Sequence, residues 1–129
     1  MLIKVLLADD TELIRRAIRR VLENHPEIEL VGEASDFAQA IEMKQQLRPD
    51  VVVTDLYMPN ESNIPTEKIR ELLNHESCIV AISVWVDDDA KNLAKSLGAF
   101  RLLDKMDVGN NLVATIKACV TQSASGPAN

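Results

Sequence analysis

Short, almost wholly apolar runs alternate along this chain with stretches in which apolar residues return every third or fourth position. The runs at residues 3–8, 28–34, 51–55, 78–84 and 100–103 have the length of buried strands, and the stretches between them have the period of helices. The first helix carries Leu13, Ile14, Ala17, Ile18, Val21 and Leu22 on one face and Arg15, Arg16, Arg19 and Arg20 on the other, and His25-Pro26 stops it. Asp36 and Gln39 resemble a capping box that opens a helix to about residue 47. Pro65 suits the first turn of a helix to about residue 74. Gly98 closes a helix over 87–97. Asp87-Asp88-Asp89 opens that helix, where the dipole favours acids, so the run reads as a cap rather than a metal site. Asp107 is expected to cap a last helix with Val108, Leu112, Val113, Ile116 and Val120 inward. The expected domain is 1–121, with 122–129 a flexible tail or the start of a linker.

Five β–α units with right-handed crossovers predict an α/β fold: a three-layer, doubly wound, five-stranded parallel sheet. Such sheets bind ligands beyond the carboxyl ends of their strands, and there the chemistry collects. The first run ends on Asp9-Asp10, the third on Asp55, the fourth on Ser83, and the fifth leads through Asp104 to Lys105. A carboxylate at the rim of an apolar core is costly unless paired. Three in one crevice repel, so either one keeps a proton or a cation joins them. A hard cation such as Mg²⁺ takes oxygen ligands and keeps waters that a phosphate can displace. A nearby ammonium and hydroxyl would then hold phosphoryl oxygens. No cysteine or histidine lies on these strand ends, so the nucleophile is a carboxylate or Ser83. Attack by a carboxylate gives an aspartyl phosphate.

Composition narrows the setting. At 129 residues and 47% apolar content the chain is one ordinary globular domain. No apolar run approaches the ~20 residues that span a bilayer, and the start lacks the pattern of a signal peptide. Cys78 and Cys119 lack metal-ligand spacing and are expected to be buried free thiols in a reducing cytoplasm. A net charge of −6 argues against this segment gripping nucleic acid itself.

Asp9-Asp10, Asp55 with Met58-Pro59 behind it, Ser83 and Lys105, in that order, resemble the receiver domain of bacterial two-component response regulators over about residues 2–121. Val5-Leu6-Leu7-Ala8-Asp9-Asp10 and Leu30-Val31-Gly32-Glu33-Ala34 are most similar to receivers of the NarL/LuxR branch, which usually precede a DNA-binding domain. The resemblance implies a flavodoxin-like strand order 2-1-3-4-5. It also implies that Asp55 accepts a phosphoryl group from a sensor histidine kinase or a phosphotransfer protein. Asp9, Asp10, Asp55 and the backbone carbonyl of Tyr57 would bind Mg²⁺, Lys105 would pair with a phosphate oxygen, and Ser83 would hydrogen-bond another. The implied protein is a cytoplasmic signalling switch rather than a turnover enzyme, with a homodimer as a further assembly and transcription as its output.

The chain departs from the family pattern at several positions. Leu102 stands where an aromatic switch residue is usual, with Phe100 two residues back and expected on the same face. Val84 replaces a small residue, Met106 follows Lys105 in place of proline, and Asn63 replaces a loop glycine, a position that asks for a left-handed backbone. Tyr57 and Trp85 fall two residues past Asp55 and Ser83, where bulk would shield the phosphoryl group from water. Arg15 and Arg19 are expected to help select an acidic kinase surface. Two other readings stay open here. One is a stand-alone or degenerate receiver that acts by protein-protein binding. The other is a haloacid-dehalogenase-like phosphatase, although Thr11 stands where that family keeps a second acid.

Overall fold

The computed structural model describes residues 2–125. Its elements run β1 (Ile3–Ala8), α1 (Glu12–Glu23), β2 (Ile28–Ala34), α2 (Phe37–Leu47), β3 (Val51–Asp55), α3 (Thr66–Asn74), β4 (Cys78–Ser83), α4 (Asp88–Ser96) and β5 (Arg101–Asp104). A turn of 3-10 helix (Lys105–Asp107) and α5 (Val108–Ser125) complete them. The five strands form one parallel sheet in the order β2-β1-β3-β4-β5, as expected.

Strand alternation sends the side chains to two cores. Leu6, Ala8, Val52, Ile79 and Ala81 pack beneath α2, α3 and α4 with Phe37, Leu73 and Ala94. Val5, Leu7, Val53, Val80 and Ile82 pack beneath α1 and α5 with Ile18, Leu22, Leu112 and Ile116. The central strand β3 is buried along its whole length, so its only polar end, Thr54-Asp55, is held in place by apolar packing on both faces.

Local chemistry sets the element ends. Asp36 caps α2 by accepting from the Gln39 amide at 2.7 Å, while the Gln39 side chain returns to the amide of Ser35, one residue before the cap. Asp87 caps α4 by accepting from the Ala90 amide at 2.9 Å. Gly98 follows with φ 73°, and Asn63 takes the left-handed conformation its position predicts, with φ 51°.

Several sequence expectations are corrected. Leu13, in the first turn of α1, is 71% exposed rather than part of the buried face. Asp107 does not cap α5 through its backbone. It accepts from the side chains of Asn110 and Asn111, and Asp104 caps the preceding 3-10 turn through the Met106 amide. Phe100 and Leu102 do not share a face: Phe100 precedes β5, where alternation does not yet hold, and packs on the α1/α5 side, whereas Leu102 packs on the α4 side. Cys78 and Cys119 are not free thiols but a disulfide joining the start of β4 to α5, with their Cα atoms 6.1 Å apart. Helix α5 continues through Ser125. The rest of the expected tail, 126–129, lies outside the described residues.

Candidate functional site

The parallel register assembles the site. Ala8 pairs with Thr54, Asp55 with Ile82, and Ser83 with Asp104. One further step along each strand brings Asp9 beside Asp55 and carries β5 into Lys105, with Ser83 one step past the partner of Asp55. All these expected residues therefore meet at one end of the sheet.

Asp9 is wholly buried. Its Oδ1 accepts from the Thr11 amide at 2.8 Å, and its Oδ2 lies 2.6 Å from Lys105 Nζ. The ammonium is close but out of line, so Oδ2 receives no aligned hydrogen bond. Lys105 Nζ also lies 3.3 Å from Asp55 Oδ2, and Asp55 Oδ1 accepts from the Tyr57 amide at 3.2 Å. Burial pushes the Asp55 carboxyl above its ordinary value, and the Asp9 charge adds to that; the Tyr57 amide and Lys105 pull it back only in part. Burial alone would depress Lys105, but the close approach of Asp9 and the charges of Asp55 and Asp9 outweigh it, and the ammonium is held above its usual value.

One ammonium thus serves several acids. Asp9, Asp10 and Asp55 each offer an oxygen, all within 4.8 Å of one another, with Asp10 on the solvent side. An oxygen-only donor set containing a buried carboxylate oxygen without an aligned donor fits a hard divalent cation. The same reading agrees with the raised Asp55 carboxyl, which such a cation would relieve.

Ser83 is buried, and its Oγ accepts from the Trp85 amide at 3.1 Å, which parks the hydroxyl beside the site. The residues that closely follow these strand ends in sequence include exposed apolar ones: Tyr57, Val84, Trp85 and Met106. Arg15 is largely covered, whereas the Arg19 side chain stays 39% exposed. Both turn onto Glu33 of β2, and Arg15 also reaches the Asp9 backbone. Arg16 and Arg20 are the exposed arginines of α1. Sequence reasoning missed Glu33 because no local spacing links it to α1.

Residues 5–117 match the family model of the response regulator receiver domain. The chain belongs to that family. Among curated relatives, it is 34% identical over 119 residues to the transcriptional regulatory protein LiaR of Bacillus subtilis, covering 91% of this chain and 56% of the relative. It is 37% identical over 109 residues to a protein-glutamate methylesterase/protein-glutamine glutaminase of Alkalilimnicola ehrlichii, covering 84% of this chain and 25% of the relative. The chain therefore spans between about a quarter and just over half of these proteins. Among solved structures, a LuxR-family two-component response regulator from Aurantimonas is 25% identical with a TM-score of 0.81, covering 94% of this chain and 86% of that one. The signal receiver domain of NarL from Mycobacterium tuberculosis has the same TM-score at 24% identity, covering 93% and 97%.

Proposed function

We propose that this domain is a phosphorylation switch in which Asp55 accepts a phosphoryl group from the phosphohistidine of a sensor kinase or phosphotransfer protein. The observation that carries this reading is the Asp9–Lys105–Asp55 cluster, in which one ammonium is shared by two buried carboxylates. Transfer breaks the donor's P–N bond and forms a bond between phosphorus and an Asp55 oxygen. Mg²⁺ held by Asp9, Asp10, Asp55 and the Tyr57 carbonyl would supply positive charge to the acids and to the transferring group. Lys105, freed from sharing Asp55, would pair with a phosphoryl oxygen, and the Ser83 hydroxyl would leave the Trp85 amide for another.

The output proposed is transcription through a further domain, as the likeness to LiaR and to the NarL/LuxR branch favours; the likeness to a methylesterase makes an enzymatic output the competing reading. The length of the natural open reading frame, and whether it encodes a further domain, separates these from a stand-alone receiver. Among the described residues no helix is long and apolar enough to cross a membrane. The switch is tested by incubation with Mg²⁺ and acetyl phosphate followed by intact-mass measurement. One added phosphoryl group that is absent in Asp55→Asn supports it. Absence of any adduct in the wild type would favour a degenerate receiver.

A further inference from the structure

The pairing of β1 with β2 slips beside the site. Val5 pairs with Leu30 but Leu6 pairs with Gly32, so Val31 is the extra residue of a β-bulge. A bulge reverses which side chains point to which face, and bulges beside active sites re-aim a residue. Here Gly32 turns toward α2, where a Cβ would meet Leu47 Cδ1 at 2.9 Å, and Glu33 turns to the opposite face, toward α1. Arg19 meets Glu33 with two hydrogen bonds, of 2.8 and 2.9 Å. Arg15 lies 3.3 Å from Glu33 Oε1 through its Nε, and its Nη1 donates to the Asp9 carbonyl at 2.6 Å.

That last contact completes the restraint on Asp9. Its amide donates to the Ala34 carbonyl at 3.0 Å, its Oδ1 accepts from Thr11, its Oδ2 faces Lys105, and its carbonyl is taken by Arg15. A carboxylate contributes to metal binding in proportion to how well its backbone is fixed before the metal arrives.

We propose that Glu33 and Arg15 form a positioning relay for the metal-binding end of β1. The bulge presents Glu33, Glu33 fixes the guanidinium, and Arg15 holds the turn from which the Asp9 and Asp10 carboxylates project. Arg15 is a positioning residue, since it touches neither metal nor phosphoryl group. Arg19 shares Glu33 but makes no contact with Asp9, so it ties α1 to β2 without orienting the acids. The relay rests on the reading of the acid cluster as a Mg²⁺ site.

Titration with Mg²⁺ alone, followed through the fluorescence of Trp85, the chain's single tryptophan, tests the relay without any phosphodonor. Arg15→Met should raise the Mg²⁺ dissociation constant about tenfold, while Arg19→Met should leave it within about twofold although both lower the melting temperature. Arg15→Lys, which keeps the charge but can satisfy only one of the two partners, should fall between wild type and Arg15→Met. Glu33→Gln, which leaves the Asp9 contact in place but loosens it, should weaken binding less than Arg15→Met, and it serves as the test should Arg15→Met fail to fold. Equal Mg²⁺ affinity in wild type, Arg15→Met and Glu33→Gln would overturn the relay and leave the metal site standing. Equal losses in Arg15→Met and Arg19→Met would reduce it to a general α1–β2 tie. A wild type that binds no Mg²⁺ would overturn the site itself.

Discussion

Asp55 pays for its position in stability. A carboxyl whose value is raised in the folded state binds its proton more tightly folded than unfolded, so stability grows as pH falls through that window. The ionised form is a cost above it. Asp55→Asn is therefore expected to raise the melting temperature by a few degrees at neutral pH without divalent cations, and to flatten its dependence on pH, as read by thermal melts across pH. Mg²⁺ should stabilise the wild type by about 2.7 kcal/mol at ~100 times its dissociation constant, a gain reduced in Asp55→Asn and Asp10→Asn. Lys105 works in the opposite sense. Its raised value means that its contribution is complete below its ordinary value and lost as pH rises through the folded one. Lys105→Met, which strands Asp9 and Asp55, should cost about 3 kcal/mol in denaturant unfolding, part of it recovered by Mg²⁺. The discomfort of Asp55 was legible in the sequence, since an oily strand ending on an acid announces it. The Arg15 and Glu33 contacts were not, because they depend on a bulge that no spacing in β2 reveals.

At the scale of elements, the loops after β3 and β4 are expected to govern access to the site. Tyr57, Val84 and Trp85 are exposed residues that closely follow the buried Asp55 and Ser83, and excluding water slows hydrolysis of a reactive intermediate. Replacing both Tyr57 and Trp85 with Ala is expected to shorten the lifetime of the aspartyl phosphate several-fold, measured as loss of the phosphorylated mass after removal of donor. An unchanged lifetime would refute shielding. The Cys78–Cys119 bond ties β4 to α5, and a closed loop of this size is worth about 3–4 kcal/mol. Reduction, or Cys78→Ala with Cys119→Ala, should therefore lower the unfolding midpoint by a matching amount. Periodicity made the helices and strands readable, and failed at their ends. Leu13 kept the period but is exposed in the first turn of α1, and Phe100 lies one residue before alternation begins. The thiols were misread because strand and helix had to be placed in three dimensions before Cys78 and Cys119 could be seen to meet.

At the scale of the whole molecule, the described residues place the site's chemistry at one end of the sheet. The alternation of elements was enough to predict a doubly wound α/β fold, but the strand order came from likeness to a family and not from the pattern. That order matters, because it sets β3 between β1 and β4 and so puts Asp55 between the acids and Ser83, with Lys105 arriving from the edge. The relatives differ in kind, one a transcriptional regulatory protein and one a methylesterase/glutaminase, so the likeness supports the receiver domain and not one particular output. The central claim is that the phosphoryl group forms on Asp55. After reaction with acetyl phosphate and Mg²⁺, borohydride reduction converts a phosphorylated aspartate to homoserine, which peptide mass mapping locates. Homoserine at position 55 alone is the predicted result; a modified Asp9 or Asp10, or a phosphoryl group retained on Ser83, would contradict it.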